Sequence, residues 1–405
     1  MSHSTAENVS ARVTWRTAAL TVAAMAALFL LRRPSAALHP QFYAEDGVVF
    51  WADNYHYGAA ALTREYGGYL HLAPRLLAWV SGHFDPAWAP ALYFTGALFS
   101  HLAVIVALFS PRLQLPAKWA LGMALGLVPH TGEVFTNITN IQWPLALGLL
   151  LLALAQDATT TGQRLADWLG AVLLGLTGPF SIFLLPVFAF RAVYRRTIDS
   201  WLLFILVAGA ASVQSLNLIA GRTPINGADP SPVQLASVMS YRLWATLVAG
   251  FTLPPATVYW TWSALGGLAT VGFALLCLRR GPLRYERACL GMAWTALALA
   301  VAVKFVKEPN VITSADNGDR YFYLPHVLVL WLLIWEATLA RPRWRWLPAS
   351  LLLFAVGMGY SRFVEPPRPL RPWASELQPV REGKPFTIPT LPEGWTIRSN
   401  GRSRH

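Results

Sequence analysis

The chain has 405 residues, of which 55% are hydrophobic and only 13% charged, and its mean hydropathy is +0.42; a water-soluble fold, with about a quarter of its residues charged, is excluded. The formal charge of +12 would suggest nucleic acid in a soluble protein. Here the basic residues sit in short loops between apolar runs, where they act as a topology signal, and no basic recognition helix is present, so no nucleic-acid partner is expected. Two cysteines, Cys277 and Cys289, are too few for a disulfide framework or a zinc cluster.

Apolar runs of the length a bilayer core demands recur along the chain. They predict helical spans over 15–31, 88–109, 119–129, 141–155, 168–176, 181–194, 201–219, 258–278, 288–305, 323–339 and 347–360. The expected fold class is thus an all-α polytopic membrane protein of about eleven transmembrane helices, within a range of about nine to twelve. The third to sixth runs are short for a full crossing, which predicts that they extend into their polar flanks or are broken. Tryptophans near the run ends, such as Trp88, Trp119, Trp143, Trp201 and Trp331, fit an interfacial belt.

Arg12 and Arg16 precede the first span while Arg32 and Arg33 follow it, so later loops decide the orientation. Arg112 with Lys118, Arg191 with Arg195 and Arg196, Arg279 with Arg280, Arg284 and Arg287, and Arg341 with Arg343 and Arg345 occupy alternate loops. By the positive-inside rule these are cytoplasmic, with the N-terminus inside and the C-terminus outside. The outer side then holds the loop 32–87, with interfacial helices predicted by the spacing of Tyr69, Leu72, Leu76, Leu77, Trp79 and Val80, and also the segments 222–253 and 304–322. Residues 1–360 form one transmembrane domain, and 361–405 a short extracytoplasmic tail. That tail opens on a proline-rich spacer, and 388–397 suits a short strand.

An ionised group at mid-span costs about 2.5–3.5 kcal/mol, and the candidate acids fall in the outer loops instead: Glu45, Asp46, Asp53, Glu65, Asp85, Glu133, Glu308, Asp316 and Asp319. The sharpest motif is FYAEDG at 42–47, in which Glu45 and Asp46 stand next to Phe42, Tyr43, Phe50 and Trp51. A carboxylate in such surroundings can have its pKa raised and serve as a general base, although acids also simply favour a helix N-terminus. Glu45, Asp46, His71 and Glu133 are too dispersed to predict a metal site, so no cofactor is expected.

The acidic pair after the first span, the long first outer loop and the alternating topology resemble the GT-C class of integral membrane glycosyltransferases. The segments TNITNIQW at 136–143, GDRYF at 318–322 and IPTLPEGW at 388–395 are similar to bacterial, largely uncharacterised members of that class. The resemblance spans nearly the whole chain, with Glu45-Asp46 in place of an Asp-x-Asp form. It implies the bacterial cytoplasmic membrane and an inverting sugar transfer from a polyprenyl-phosphate-linked donor to an extracytoplasmic glycan or lipid acceptor, with Asp46 as base and Glu45 beside it. The chain shows no glycine-rich phosphate loop for a nucleotide sugar. Arg320 is the first choice for the leaving phosphate because its fork suits phosphate oxygens, with Arg75, Lys304 and His71 behind it. Glu133, His71, Asn137, Asn140, Asp319 and Tyr321 are the candidates for holding substrate. A lipid or solute transporter, and a polymerase or ligase of surface polysaccharide, are the competing functions.

Overall fold

The computed structural model describes residues 15–221, 232–249, 259–313, 318–360 and 363–401. Of the positions named above, Arg12, Asp316, residue 258 and parts of 222–253 and of the tail lie outside the described residues. The protein is an all-α membrane protein: about 72% of it is helical, and six helices among the described residues are long and apolar enough to cross a bilayer.

α1 (Trp15–Arg32) leads through the short α2 (Pro34–Leu38) and a π-helical turn, Asp46–Trp51, into α3 (Ala52–Tyr57). A two-stranded ribbon follows, β1 (Glu65–Tyr66) with β2 (Tyr69–Leu70). Its turn is Gly67-Gly68, at φ +63° and +84°. That left-handed pair suits glycine and matches the twist of a tight hairpin. α4 (Leu72–Ser81) completes the first loop, and Leu77 packs onto Gly96 of α5 (Ala89–Leu108). α6 (Lys118–Leu127), α7 (Gln142–Leu154), α8 (Thr161–Gly175), α9 (Phe180–Arg195) and α10 (Ile198–Ala220) follow, with α10 packed on both α8 and α9. Thr160 and Thr197 cap α8 and α10 by accepting from the amides of Gln163 and Ser200.

Every predicted apolar run coincides with a helix, and α8 starts seven residues before the predicted 168, extended into its polar flank. Segment 222–253, for which the apolar runs predict no span, is helical in its described part: α11 (Pro232–Ser240), a π-helical turn and α12 (Thr246–Ala249). This run lies beside α13 (Tyr259–Cys277). Ser237 meets Ser263 at 2.9 Å, Ser240 meets Gly266, and the Trp244 indole donates to Thr270 Oγ1 at 3.0 Å. The constant offset of 26 residues makes the two helical runs parallel. Polar residues at 237, 240, 242 and 246 masked the helix in the sequence, and their partners are other helices.

α14 (Arg284–Phe305), α15 (Arg320–Leu339) and α16 (Trp346–Tyr360) close the bundle. α15 is the central pillar, with 78% of its apolar window buried. Trp331 and Tyr323 on α15 donate to the carbonyls of Leu121 and Leu125 on α6. Between apolar helices in lipid, tight packing rather than water exclusion holds the contact, and small residues permit close approach. Gly122 and Gly126 of α6 meet Thr21 and Met25 of α1, and Gly175 meets Ala210. The perimeter is apolar: Leu268, Val271, Leu275 and Leu278 are 57–77% exposed.

The basic loops gather at one end of the bundle. Arg112 pairs with Asp167, Arg191 and Arg195 with Asp157, Arg164 with Asp199, and Arg279 and Arg287 with Glu336. Glu336 lies in the last turn of α15, so one acid does sit inside a predicted span, and two guanidinium groups satisfy it at its end.

The opposite end is capped by the first loop and the tail. The tail runs through a proline-rich stretch and α17 (Gln378–Arg381) into a hairpin of β3 (Phe386–Pro389) and β4 (Thr396–Ser399). Phe386 packs on Trp51 and Tyr55, and Ile397 on Gly47. Arg381 pairs with Asp85, the Trp373 indole donates to the Pro86 carbonyl, and Leu391 bridges Tyr43. The tail is therefore a lid packed on the acidic-pair segment; the stretch 388–397, expected as one short strand, is instead the inner part of a hairpin whose residues 390–395 connect β3 to β4.

Candidate functional site

Two kinds of polar group meet at the capped end, and burial separates them. The first kind serves loop 128–141. α6 ends at Leu127, and irregular backbone follows in which His130, Val134, Phe135, Ile138 and Ile141 are almost fully buried. Non-helical backbone at such depth must find partners within the protein.

Those partners include Asp46, expected as the catalytic base, and Asp319, Asn137 and Asn140, expected to bind substrate. Asp46 is 2% exposed, and its carboxylate accepts from Thr139 N at 3.0 Å, Thr139 Oγ1 at 2.6 Å and Ile138 N at 3.3 Å. Burial pushes its pKa up to about 7 against these hydrogen bonds, with the Glu45 charge adding to the rise. Asp319, also sealed, accepts from Thr131 N at 2.6 Å and Arg242 at 2.8 Å and faces His130 Nε2 at 3.4 Å. Burial works against its charge, but His130, Arg242 and the Thr131 amide outweigh burial and hold it below the ordinary carboxylate range. Asn137 donates to the carbonyls of Glu133 and Phe135 and accepts from Asn140 N, while Asn140 donates to the Glu133 carbonyl. Arg32 donates to the carbonyls of Gly126 and His130, and Arg33 to Thr136 Oγ1. Glu365 of the tail pairs with both arginines.

Arg75 and His71 are sealed too. Arg75 donates to Asp53 at 2.7 Å and to the Arg64 carbonyl at 3.1 Å, and lies over Phe50. His71, 1% exposed, donates through Nε2 to the Tyr66 carbonyl at 3.1 Å among Phe50, Tyr66 and Tyr69. Burial lowers its pKa to about 3, so it stays neutral. Both hold the first loop together in the structure and turn no charge toward solvent.

The second kind forms an open polar patch. Glu45 is half-buried, and the Tyr66 hydroxyl donates to its Oε1 at 3.1 Å. Burial and then the Glu45 charge raise the Tyr66 pKa, whereas Arg320 acts on the same phenol with the opposite sign. Tyr69 lies in the field of the same two charges and beside Tyr321 and Gln142. Arg320 forms an ion pair with Glu133, its backbone amide donates to Glu133 Oε2 at 3.2 Å, and its guanidinium lies 5.1 Å from the Tyr321 ring. Lys304, exposed at the last turn of α14, places Nζ 4.8 Å from that ring. Tyr321 is wedged between Trp143 and Phe305.

The patch is carried on rigid supports. Gln214 of α10 donates to the carbonyls of Leu70 and Gly178 and accepts from Leu70 N, which pins the Tyr66–Tyr69 ribbon to the bundle. Arg320 and Tyr321 open the central pillar. Glu45, Glu133, Arg320, Lys304 and Tyr321 thus stand around one patch. Tyr66 and Gln142 were missed, and Tyr69, expected in an interfacial helix, lies in β2 before α4 begins at Leu72; the Gly-Gly turn between two tyrosines was the available signal for the pair. Among the described residues no three His, Cys, Asp or Glu side chains are grouped so as to hold a metal ion.

In chemical terms the patch offers two partly exposed carboxylates, one of them paired with Arg320, two cations and three phenols at the end of an apolar bundle. Against known proteins, no family model matches the chain, and no curated protein and no solved structure matches it either.

Proposed function

We propose that the protein is an eleven-span glycosyltransferase of the GT-C type in the bacterial cytoplasmic membrane, with its N-terminus inside and its capped end facing out. It moves a sugar from a polyprenyl-phosphate-linked donor to an extracytoplasmic glycan or lipid acceptor. The orientation rests on the basic residues gathered at the uncapped end. One observation supports the activity: Glu45, held by the Tyr66 hydroxyl at 3.1 Å, and Arg320, 5.1 Å from the Tyr321 ring, are opposite in charge and both open to solvent in part at one end of the central helix.

In this mechanism Glu45 is the base, and Asp46 positions loop 128–141. The Glu45 carboxylate takes the proton of the acceptor hydroxyl, whose oxygen attacks the anomeric carbon. The bond from that carbon to the phosphate oxygen breaks on the opposite face, and its electron pair leaves with the phosphate. Arg320 and Lys304 receive the charge that develops there, Arg320 exchanging Glu133 for phosphate oxygens as the donor enters. Tyr66, Tyr69 and Tyr321 flank the sugar.

The test is the mass profile of surface glycans in a deletion strain carrying wild-type protein, Glu45→Gln or Arg320→Ala, each at equal membrane abundance. Wild type alone should restore the missing hexose or pentose. Full restoration by Glu45→Gln removes Glu45 as base, and an unchanged glycan profile on deletion removes the transferase function.

A further inference from the structure

The tail encloses a cavity that the transfer chemistry does not use. It has a volume of about 160 Å³ between the proline-rich stretch, the β3–β4 hairpin and the segment just before the acidic pair. That is below the roughly 300 Å³ at which drug-sized pockets begin, and suits one sugar ring. Its lining includes Gln41, Phe42, Arg371, Trp373, Glu376 and Thr390.

Thr390 is 4% exposed and its Oγ1 has no hydrogen-bond partner, although its own amide is satisfied by the Trp395 carbonyl at 2.8 Å. Leaving a buried hydroxyl unpaired is unfavourable, and Thr390 stands in the cavity wall with its Oγ1 sealed from water, so a ligand hydroxyl that reaches it supplies the missing partner. Arg371, in the same lining, has a buried Nε without a partner, while its Nη2 lies 3.6 Å from Glu393. Gln41 accepts from Arg371 N at 2.5 Å through Oε1, which leaves its amide NH₂ for donation. Trp373 stands edge-on to Phe42 and Trp51, with ring centroids 4.8 and 5.1 Å away, so its orientation is fixed. Planar amide, guanidinium and carboxylate groups around a fixed indole match the alternating hydroxyl edges and apolar faces of a sugar ring.

Position gives the site its role. Leu391, next to Thr390, bridges Tyr43, and its carbonyl accepts from Ala44 N, directly before Glu45. Gln41 lies four residues before Glu45, at most about 14 Å along the chain. We propose that this cavity is a saccharide subsite that holds the acceptor glycan while its terminal hydroxyl lies at Glu45. The acceptor role rests on the transferase function, but the binding does not.

The experiment is saturation-transfer NMR on the full chain in nanodiscs, with defined neutral tetrasaccharides of glucose, galactose, mannose and arabinose as probes. At least one should bind wild type and Glu45→Gln alike, and bind at least tenfold more weakly to Thr390→Val and to Glu376→Ala. Glu376 is exposed on the rim, so its loss leaves folding intact. If no tetrasaccharide binds, or if both variants bind as wild type does, the subsite is overturned. Binding that responds to the variants in a protein with no transfer activity keeps the subsite and removes the transferase. Transfer with an acceptor KM unchanged by both variants does the reverse.

Discussion

Replacing Asp46 and Glu45 one at a time separates support from chemistry. In Asp46→Asn one carboxylate oxygen becomes an NH₂. If the NH₂ takes the Oδ2 position it confronts Ile138 N–H. If it takes Oδ1 it donates to Thr139 Oγ1 but confronts Thr139 N–H. Either rotamer orphans one buried backbone amide, at about 1–3 kcal/mol. A protonated aspartic acid avoids this, because the Thr139 hydroxyl can turn and accept, so both charge states of Asp46 are tolerated. Glu45→Gln removes a half-buried carboxylate whose recorded bond is from the Tyr66 hydroxyl, and an amide oxygen can keep that bond.

Stability should therefore fall in Asp46→Asn and hold in Glu45→Gln, whereas transfer should fall about 10²–10⁴-fold in Glu45→Gln, the usual worth of a general base. Cys277 and Cys289 are both buried, so heating the purified protein with a thiol-reactive fluorophore reports unfolding without an added label. Transfer is read from the restored glycan at matched membrane abundance. The assignment is refuted if Asp46→Asn unfolds at the wild-type temperature yet abolishes transfer, with Glu45→Gln active.

Arg320→Ala should weaken donor use while leaving the thermal midpoint nearly unchanged, since a partly exposed pair contributes only about 0–1 kcal/mol; Arg320→Lys should rescue poorly because it lacks the fork, and donor KM against unfolding temperature is the check. His71, with a folded pKa of about 3, contributes stability that is present above about pH 6.5 and is lost as pH falls toward 3. His71→Gln should flatten the acid side of the midpoint-versus-pH curve. Asp46 acts with the opposite sign between about pH 4 and 7, so the difference between wild type and variant is the quantity to plot. Glu365→Gln should leave Arg33 buried without its carboxylate, at about 3–5 kcal/mol, and a wild-type unfolding midpoint would show that the tail does not anchor the first loop.

Much of the architecture was legible in order along the chain. Bilayer thickness imposes a length on apolar runs, and all eleven predicted runs are helices; the alternate basic loops do meet at one end. The helical run Pro232–Ala249 was not legible, because its polar positions face other helices and so imitate a loop. The site was legible as a list of residue types and not as roles. Glu45-Asp46, Glu133 and Arg320 announce chemistry by being charged near a membrane end, but sequence cannot say which charges point into the protein.

Tertiary structure made that division. α6 stops after ten residues and buried irregular backbone follows it, in which amides and carbonyls need partners. Asp46, Asp319, Asn137, Asn140 and Arg32 are drawn inward to supply them. Glu45 is one residue from Asp46, and its side chain diverges toward Tyr66. The local sequence determined that a carboxylate pair follows the first span; the hydrogen-bonding demand of a loop ninety residues away decided which of the two remained open to solvent.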